Sequence, residues 1–398
     1  MTTVSNLWIQ LDALARPLPA ERVPLASALD RVLREPVVAP EDQPPFDRSA
    51  IDGYLVRADE PAGLVALSAR ASPGSPAPDL PAPGHAVRIL TGGALPPANA
   101  ALVMQEDTEP ADDGRLRLLQ PPSTRHIRRR GSQARAGAEL LASGQRLHAG
   151  SLALLASLGA TQPLVTRRAR VAHLVTGGEL VSPDTTPAPG QIRDCNSTLI
   201  AALLAQSDAD LHWHQRVSDS RAATADALAA ALASEADVLL ISGGASVGDH
   251  DHTAALLAAQ GFTLHCEKVA SRPGKPFIAA SRDGRLAFGL PGNPLSHFVC
   301  FHLFVKRVLA RLAGTAPAAL VRATLAHDAA HLLRPDPRET WWPCTWADDG
   351  PLRTVLPLPW RDSSDLTVLS NADGLLRVPA QHSFAPGPAT EADVLSCR

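Results

Sequence analysis

The chain has 398 residues, 45% hydrophobic and 19% charged, which allows two or more domains with sizeable cores and excludes wholesale disorder. A formal charge of only -3 gives no global pull toward nucleic acid or an anionic membrane surface. Five scattered cysteines without a C-x-x-C pair argue against a disulfide framework or a structural zinc site, and for a reducing, cytoplasmic compartment.

The N-terminus lacks a basic start, an apolar stretch and a small-residue cleavage site, so no signal peptide is expected. No run approaches the ~18 apolar residues of a spanning helix, so no membrane association is expected. Residues 5–35 read as helical, because "NLWIQLDALA" and "PLASALDRVLRE" repeat apolar residues at three- and four-residue intervals. From about residue 36, prolines and glycines punctuate short apolar pieces such as "YLVRA", "LVALSA", "AVRIL" and "ALVMQED". That texture predicts short strands and turns, with "SPGSPAPDLPAPG" a long surface loop inside a small β domain. The helical period returns in "HAGSLALLASLGA".

After residue 169 the pattern alternates. "RVAHLVT", "DLHWHQRV" and "DVLLIS" read as strands; "NSTLIAALLAQ", "TADALAAALASEA" and "HTAALLAAQG" read as helices, the first capped by Asn196 or Ser197. This alternation predicts a parallel sheet covered by helices, with ligands beyond the carboxyl ends of its strands. "FVCFHLFVKRVLARLAG" closes that domain, and proline-rich, short-strand texture fills the rest. The expected fold is multidomain α/β plus β: a central three-layer α/β domain, an inserted β domain and a small C-terminal β domain. Its divisions are a discontinuous helical linking domain at 1–40 and 140–168, the inserted β domain at 41–139, the α/β domain at 169–315 and the C-terminal β domain at 316–398.

Four loops fall at expected strand ends. In "DVLLISGGASVGDHDHT" an apolar strand runs into glycines and then into Asp249, His250, Asp251 and His252. Glycines let backbone N–H groups approach an anion, and two aspartates would hold a hard cation such as Mg²⁺ beside a phosphate. The same letters also suit an ordinary strand-to-helix turn, since acids favour helix starts. "RPGKPFIA" offers Arg272 and Lys275 on a stiff turn, suited to an oxyanion or to plain solvation. "FGLPGNPLSH" and "VTGGELV" supply a donor-rich turn and Glu179. The arginine run in "STRHIRRRGSQARAG" lacks the interleaved aromatics that RNA binding wants. No H-E-x-x-H or P-loop pattern is present, which disfavours zinc hydrolases and P-loop NTPases.

Taken together, "FDRSAIDGYLVRA", "VRILTGGALP", "ALVMQEDTE", "IRRRGSQARAGAELL", "HLVTGGELV", "GQIRDCNSTLI", "ISGGASVGDHDHT", "RPGKPF", "GLPGNPLS" and "RDSSDLTVLSNADGL" resemble the molybdopterin molybdenumtransferase family. Its animal relative is the C-terminal part of gephyrin. The resemblance runs nearly end to end. It implies an elongated homodimer of four-part subunits in which the partner's β domain leans over the α/β cleft. It also implies insertion of molybdate into adenylylated molybdopterin, with Mg²⁺-dependent release of AMP. Molybdopterin adenylyltransferase and apo-molybdoenzymes are the candidate partners.

By resemblance, Asp52 and Thr91 come from the β domain. Glu179, Asp194, Asp219 and Asp251 line the cleft, with Asp251 and Asp249 associated with the metal. Gly243, Gly244, Ser246 and Gly248 cradle phosphate or pterin. Arg272 and Lys275 bind molybdate with Arg338 and Ser364, and Gly292, Asn293 and Pro294 shape the pterin pocket. Asp52, Glu179, Asp251 and Lys275 form the catalytic set.

Three departures stand beside these matches. The family's usual Gly-Glu-Asp after the arginine triplet is here Gly131-Ser132-Gln133, its T-G-D-E is Thr176-Gly177-Gly178-Glu179, and its K-P-G-K begins with Arg272. An amide at Gln133 ligates but cannot act as a base. The competing reading is therefore a catalytically weakened paralogue that carries the cofactor or its precursor to particular molybdoenzymes. The adenylyltransferase reading is disfavoured by Gly243-Gly244-Ala245-Ser246, where that enzyme has G-G-T-G, and by the extra domains.

Overall fold

The computed structural model describes residues 1–244, 252–326, 329–347, 353–384 and 390–397. The chain forms two compact units. One comprises Met1–Arg34, Gly144–Ala149 and Gln162–Arg398; the other comprises Glu35–Ser143 and Gly150–Thr161.

In the larger unit the helix Val4–Leu14 buries Val4, Leu7 and Leu11, the three- and four-residue stripe seen in the sequence, and Thr3 caps it by accepting from the Asn6 N–H. Its Asp12 bonds both Arg307 (2.8 and 2.6 Å) and Arg311 (2.9 Å) on the helix Lys306–Ala313. The Asp12 carboxyl lies below its ordinary 3.8: burial alone would raise it, but the two guanidiniums more than offset that. A carboxyl depressed in the folded state stabilises the fold fully above its unfolded pKa, and this contribution is lost as the pH falls through the lower folded value. In an acid titration followed by circular dichroism, Asp12→Asn is expected to flatten the loss of stability below about pH 4. An identical profile in variant and parent contradicts this.

"PLASALDRVLRE" is not the expected helix. Only Leu25–Ser27 makes a 3-10 turn. Asp30 takes a left-handed φ of 63°, and the Leu33 and Arg34 N–H groups donate to the carbonyls of Gln145 and Leu164. Buried Arg31 donates to the Thr166 carbonyl (2.7 Å) and to Glu21. Pairing with distant backbone overrides a helical period in this segment.

The central sheet has six strands in the order Ala209–Val217, Ala169–Thr176, Val238–Ser242, Arg285–Leu290, Pro276–Arg282, Thr263–Lys268. The first four run parallel, as expected. Pro276–Arg282 alone is reversed, antiparallel to both of its neighbours, so the sheet is mixed, because the short turn Asp283–Gly284 permits only a hairpin return. Alternate residues face opposite layers. Val171, Val238 and Leu240 pack with Ile200 and Leu204 of the helix Asn196–Ala205 and with the helical stretch after Pro294. Ala172, Leu174, Leu239 and Ile241 pack with Ala227 and Leu228 of Arg221–Ala233 and with Leu257 of Thr253–Ala259. Three layers result.

The antiparallel hairpin has a consequence for function. Because Pro276–Arg282 runs against Arg285–Leu290, the turn Arg272–Lys275 that precedes it lies at the same sheet edge as the carboxyl ends of the parallel strands.

The C-terminal strands close on themselves. Glu339–Ala347, Thr354–Pro357, Val321–Leu325, Glu391–Ser396 and Gly374–Val378 pair in that order, and the last pairs back to the first, giving a small barrel without open edges. Ser271–Arg272 adds a parallel pair to Glu339–Thr340, fastening the turn before Lys275 to the barrel.

The smaller unit holds a six-stranded sheet in the order Ala100–Met104, Gly53–Arg57, His85–Ile89, Gly63–Ala71, Leu116–Leu118, Thr108–Pro110. Gly63–Ala71 and His85–Ile89 are parallel, and the proline-rich residues between them form the crossover loop that parallel neighbours require.

Candidate functional site

Two adjoining cavities open at the carboxyl edge of the central sheet. The first, about 610 Å³, is walled by the ends of Ala169–Thr176 and Val238–Ser242 and by the loops after the four parallel strands. Glu179, Asp194, Asp219, Gly243, Gly244, Gly292, Asn293 and Pro294 line it, and so does Ser364, which was expected beside the molybdate-binding cations but is not among the residues lining the second cavity. The second, about 530 Å³, shares Gly243, Gly244, Gly292 and Asn293 with the first and adds Arg272, Lys275, Arg338 and Arg361. One end of the cleft is thus carboxylate-lined and the other basic. Ser246, Gly248, Asp249 and Asp251 lie outside the described residues.

The glycine turn leaves the strand Val238–Ser242 with φ of 87° at Gly243 and 62° at Gly244, the left-handed region that favours glycine. The Gly243 N–H donates to the Leu290 carbonyl (3.3 Å), so it is engaged in the fold and not offered to a ligand. The backbone amides of Gly244, Gly292 and Asn293 have no acceptor among the described residues and are the donors this edge presents. Asn196 holds the second turn by donating to the Gly292 carbonyl (2.7 Å), and Asn293 reaches the Ser363 hydroxyl (2.7 Å).

Three expected ligands are already occupied. Asp194 is buried and accepts from the Ser197 N–H (3.0 Å) and hydroxyl (2.5 Å), so it caps the helix Asn196–Ala205. Cys195 stands at the cap position, not Asn196 or Ser197, because the aspartate one residue earlier outcompetes both as acceptor. Ser364 donates its hydroxyl proton to Asp362 (2.5 Å). Arg272 donates to Asp336 (2.9 Å) and lies over the Trp360 ring, 5.5 Å from its centroid. By contrast, the side chains of Glu179, Asp219, Lys275 and Arg361 are exposed and have no partner among the described residues. Gly178 stands beside this wall: a Cβ there would meet only Asp219 Oδ1, at 3.6 Å.

Beneath the floor, His173 bonds Ser242 (2.6 Å), the residue before the glycine turn. Burial first, then neighbouring His297 and His214, pushes His173 well below its ordinary 6.5; burial takes His297 down to about 4. Both imidazoles are therefore neutral at pH 7 and serve as packing and hydrogen-bonding groups.

Asp52 and Thr91 belong to the smaller unit. The antiparallel pairing of Gly53 with Ile89 brings them together, and the Thr91 N–H (2.7 Å) and hydroxyl (2.8 Å) both donate to Asp52 Oδ1. That N–H, then the hydroxyl and the charge of Arg88, hold the Asp52 carboxyl below the usual range. Gln133 is exposed in the same unit, and Arg129 and Arg130 are paired with Asp47 (2.6 Å) and Asp42 (2.9 Å).

Sequence reasoning passed over Asp336, Trp360, Arg361 and Asn196. Asp336 left a signal, standing two residues before Arg338 in "DPRET", and Arg361 and Asn196 stand inside the quoted "RDSSDLTVLSNADGL" and "GQIRDCNSTLI". Asn196 and Trp360 act through contacts with distant segments.

The mixed sheet with a two-part, anion-receptive cleft at its carboxyl edge, fastened to a small barrel, defines a class of multidomain α/β protein built to take a polar ligand beside an oxyanion. Residues 3–159 match the MoeA N-terminal region (domains I and II), 172–311 a probable molybdopterin binding domain, and 328–395 the MoeA C-terminal region (domain IV). A molybdopterin molybdenumtransferase of Nostoc sp. is 36% identical over 324 residues, covering 79% of this chain and 73% of that protein. One of Haemophilus influenzae is 35% identical, covering 76% of each. A molybdopterin biosynthesis MoeA protein from Pyrococcus horikoshii superposes with a TM-score of 0.80 at 26% identity, over 100% of this chain and 99% of that one. The chain belongs to the molybdopterin molybdenumtransferase family.

Proposed function

We propose that this protein inserts molybdate into adenylylated molybdopterin in molybdenum cofactor biosynthesis, releasing AMP. The observation that carries this reading is the pair of cavities sharing Gly243, Gly244, Gly292 and Asn293. The larger one is sized and lined for a pterin nucleotide, and the basic one for a tetrahedral oxyanion. Free amides at Gly244, Gly292 and Asn293 suit phosphate oxygens, and the Lys275 ammonium suits molybdate. Holding both reactants against one shared wall supplies the proximity that the transfer needs.

Among the described residues no group of three or more potential ligands surrounds a metal. Glu179 and Asp219 are unpaired hard oxygen donors on the phosphate side, which fits Mg²⁺, an ion that takes one or two carboxylates plus phosphate and water. Mg²⁺ bound there would neutralise charge on the anhydride. No helix among the described residues is long and apolar enough to cross a membrane. We further propose a cytoplasmic homodimer of four-part subunits in which Asp52 and Thr91 complete the partner's cleft, served by molybdopterin adenylyltransferase and delivering to apo-molybdoenzymes.

The test is a single-turnover assay with adenylylated molybdopterin, Mg²⁺ and molybdate, following AMP and activation of a cofactor-free molybdoenzyme. Molybdate-dependent AMP release with activation is expected. Tight binding without AMP release would sink the enzyme and leave a carrier. In the same assay Gly178→Asp, for which there is room beside Asp219, is expected to fold normally and to raise Mg²⁺ affinity severalfold. Unchanged Mg²⁺ dependence would mean that the missing acid at 178 has no role in metal binding.

A further inference from the structure

Four cations, Arg272, Lys275, Arg338 and Arg361, line the basic cavity, yet two of them share one carboxylate behind the wall. Asp336 Oδ2 accepts from Arg272 (2.9 Å), while Oδ1 accepts from the Arg338 backbone N–H (2.9 Å) and guanidinium (3.1 Å). The Asp336 side chain is only 11% exposed, against 38% and 28% for the two arginines, so the carboxylate sits behind the guanidiniums and they face the cavity. Trp360 backs Arg272 from another side, and the parallel pair Ser271–Arg272 with Glu339–Thr340 fixes the backbone of both partners. The contacts of Arg272 with Asp336 and Trp360 and the strand pair bridge the α/β domain and the barrel, while the Asp336–Arg338 bonds are local.

We propose that Asp336 is a positioning residue for the oxyanion, holding Arg272 and Arg338 so that their outward N–H groups receive molybdate without rearrangement. This rests on the assignment of the basic cavity to molybdate. With Asp336 counted, four cations face Asp362 and Asp336, an excess of two positive charges that matches a dianion. A guanidinium presents five donors in a rigid fork, so the one hydrogen bond each gives to Asp336, and that of Arg338 Nη1 to the Ser271 carbonyl (3.4 Å), leave others for the cavity. Burial by itself would raise the Asp336 pKa, but the Arg338 N–H and the two guanidiniums hold it below the usual carboxylate range, so the clamp is charged at working pH.

The experiment compares the parent with Asp336→Asn and Asp336→Glu in molybdate-dependent AMP release, with molybdate binding measured by calorimetry. Removing a negative charge beside an anion site would by itself tighten anion binding. Lost positioning acts the other way. Asp336→Asn is therefore expected to raise KM and Kd for molybdate about tenfold, with kcat within about twofold and the KM for adenylylated molybdopterin unchanged. Asp336→Glu, which keeps the charge but shifts it by one methylene, is expected to lie between. Should Asp336→Asn fail to fold, a molybdate KM for Asp336→Glu raised about threefold supports the proposal and a parental one overturns it. An unchanged or lowered molybdate KM in Asp336→Asn, or a parallel fall in every kinetic constant, overturns it. A parent that neither binds molybdate nor releases AMP in response to it overturns the underlying functional reading, and the proposal with it.

Discussion

Gly243→Ala is expected to reduce kcat/KM for adenylylated molybdopterin about 100-fold and to destabilise the α/β domain by about 2–4 kcal/mol. The residue has a φ of 87°, and a Cβ there would lie 2.5 Å from the Thr176 carbonyl oxygen and 2.8 Å from its hydroxyl. Neither can give way. Thr176 ends the neighbouring parallel strand, whose register is locked by the Val175–Ser242 pairing. Relief must come from the turn itself, which would carry the free Gly244 amide away from the cleft and disturb the wall that both cavities share. Nucleotide binding, AMP release and urea unfolding check this together. Parental turnover in the alanine variant would mean that the turn does not shape the site.

Lys275→Gln is expected to act on one substrate only. The ammonium is exposed and unpaired among the described residues, so its removal leaves no buried charge without a partner, and stability should stay within about 0.5 kcal/mol of the parent. A charge-assisted hydrogen bond to an oxyanion contributes about 1.5–3 kcal/mol, which corresponds to a 10- to 100-fold rise in the molybdate KM. Binding of adenylylated molybdopterin in the adjoining cavity should not change. Initial-rate kinetics with each substrate varied in turn separate the two. A molybdate KM within twofold of the parent would remove Lys275 from the oxyanion site.

Lys275 and Arg272, three residues apart, show how far a motif reaches. Both letters in "RPGK" indicate anion binding equally well. Among the described residues the Lys275 ammonium is unpaired, whereas Arg272 is held by a carboxylate 64 residues downstream. The glycine turn teaches the same lesson: Gly243 and Gly244 are equivalent as letters, but the Gly243 amide is bonded across the sheet to Leu290, and the Gly244 amide has no acceptor among the described residues. Asp194 carries a charge suited to a ligand and uses it to cap its own helix.

What the sequence by itself determined is everything set by short-range pattern. Short continuous apolar runs and longer helical segments marked the alternating strands and helices of the α/β domain. Glycines at strand ends marked the cleft, and the motifs in order carried the family. These signals are local because side-chain direction repeats within a few residues. Tertiary structure decided the antiparallel hairpin that turns Arg272–Lys275 toward the strand ends, the closure of the C-terminal barrel, and the non-helical course of residues 25–35. It also decided which charges are free. Each of these depends on partners far apart in the chain, brought together by burial and backbone pairing that no local period encodes.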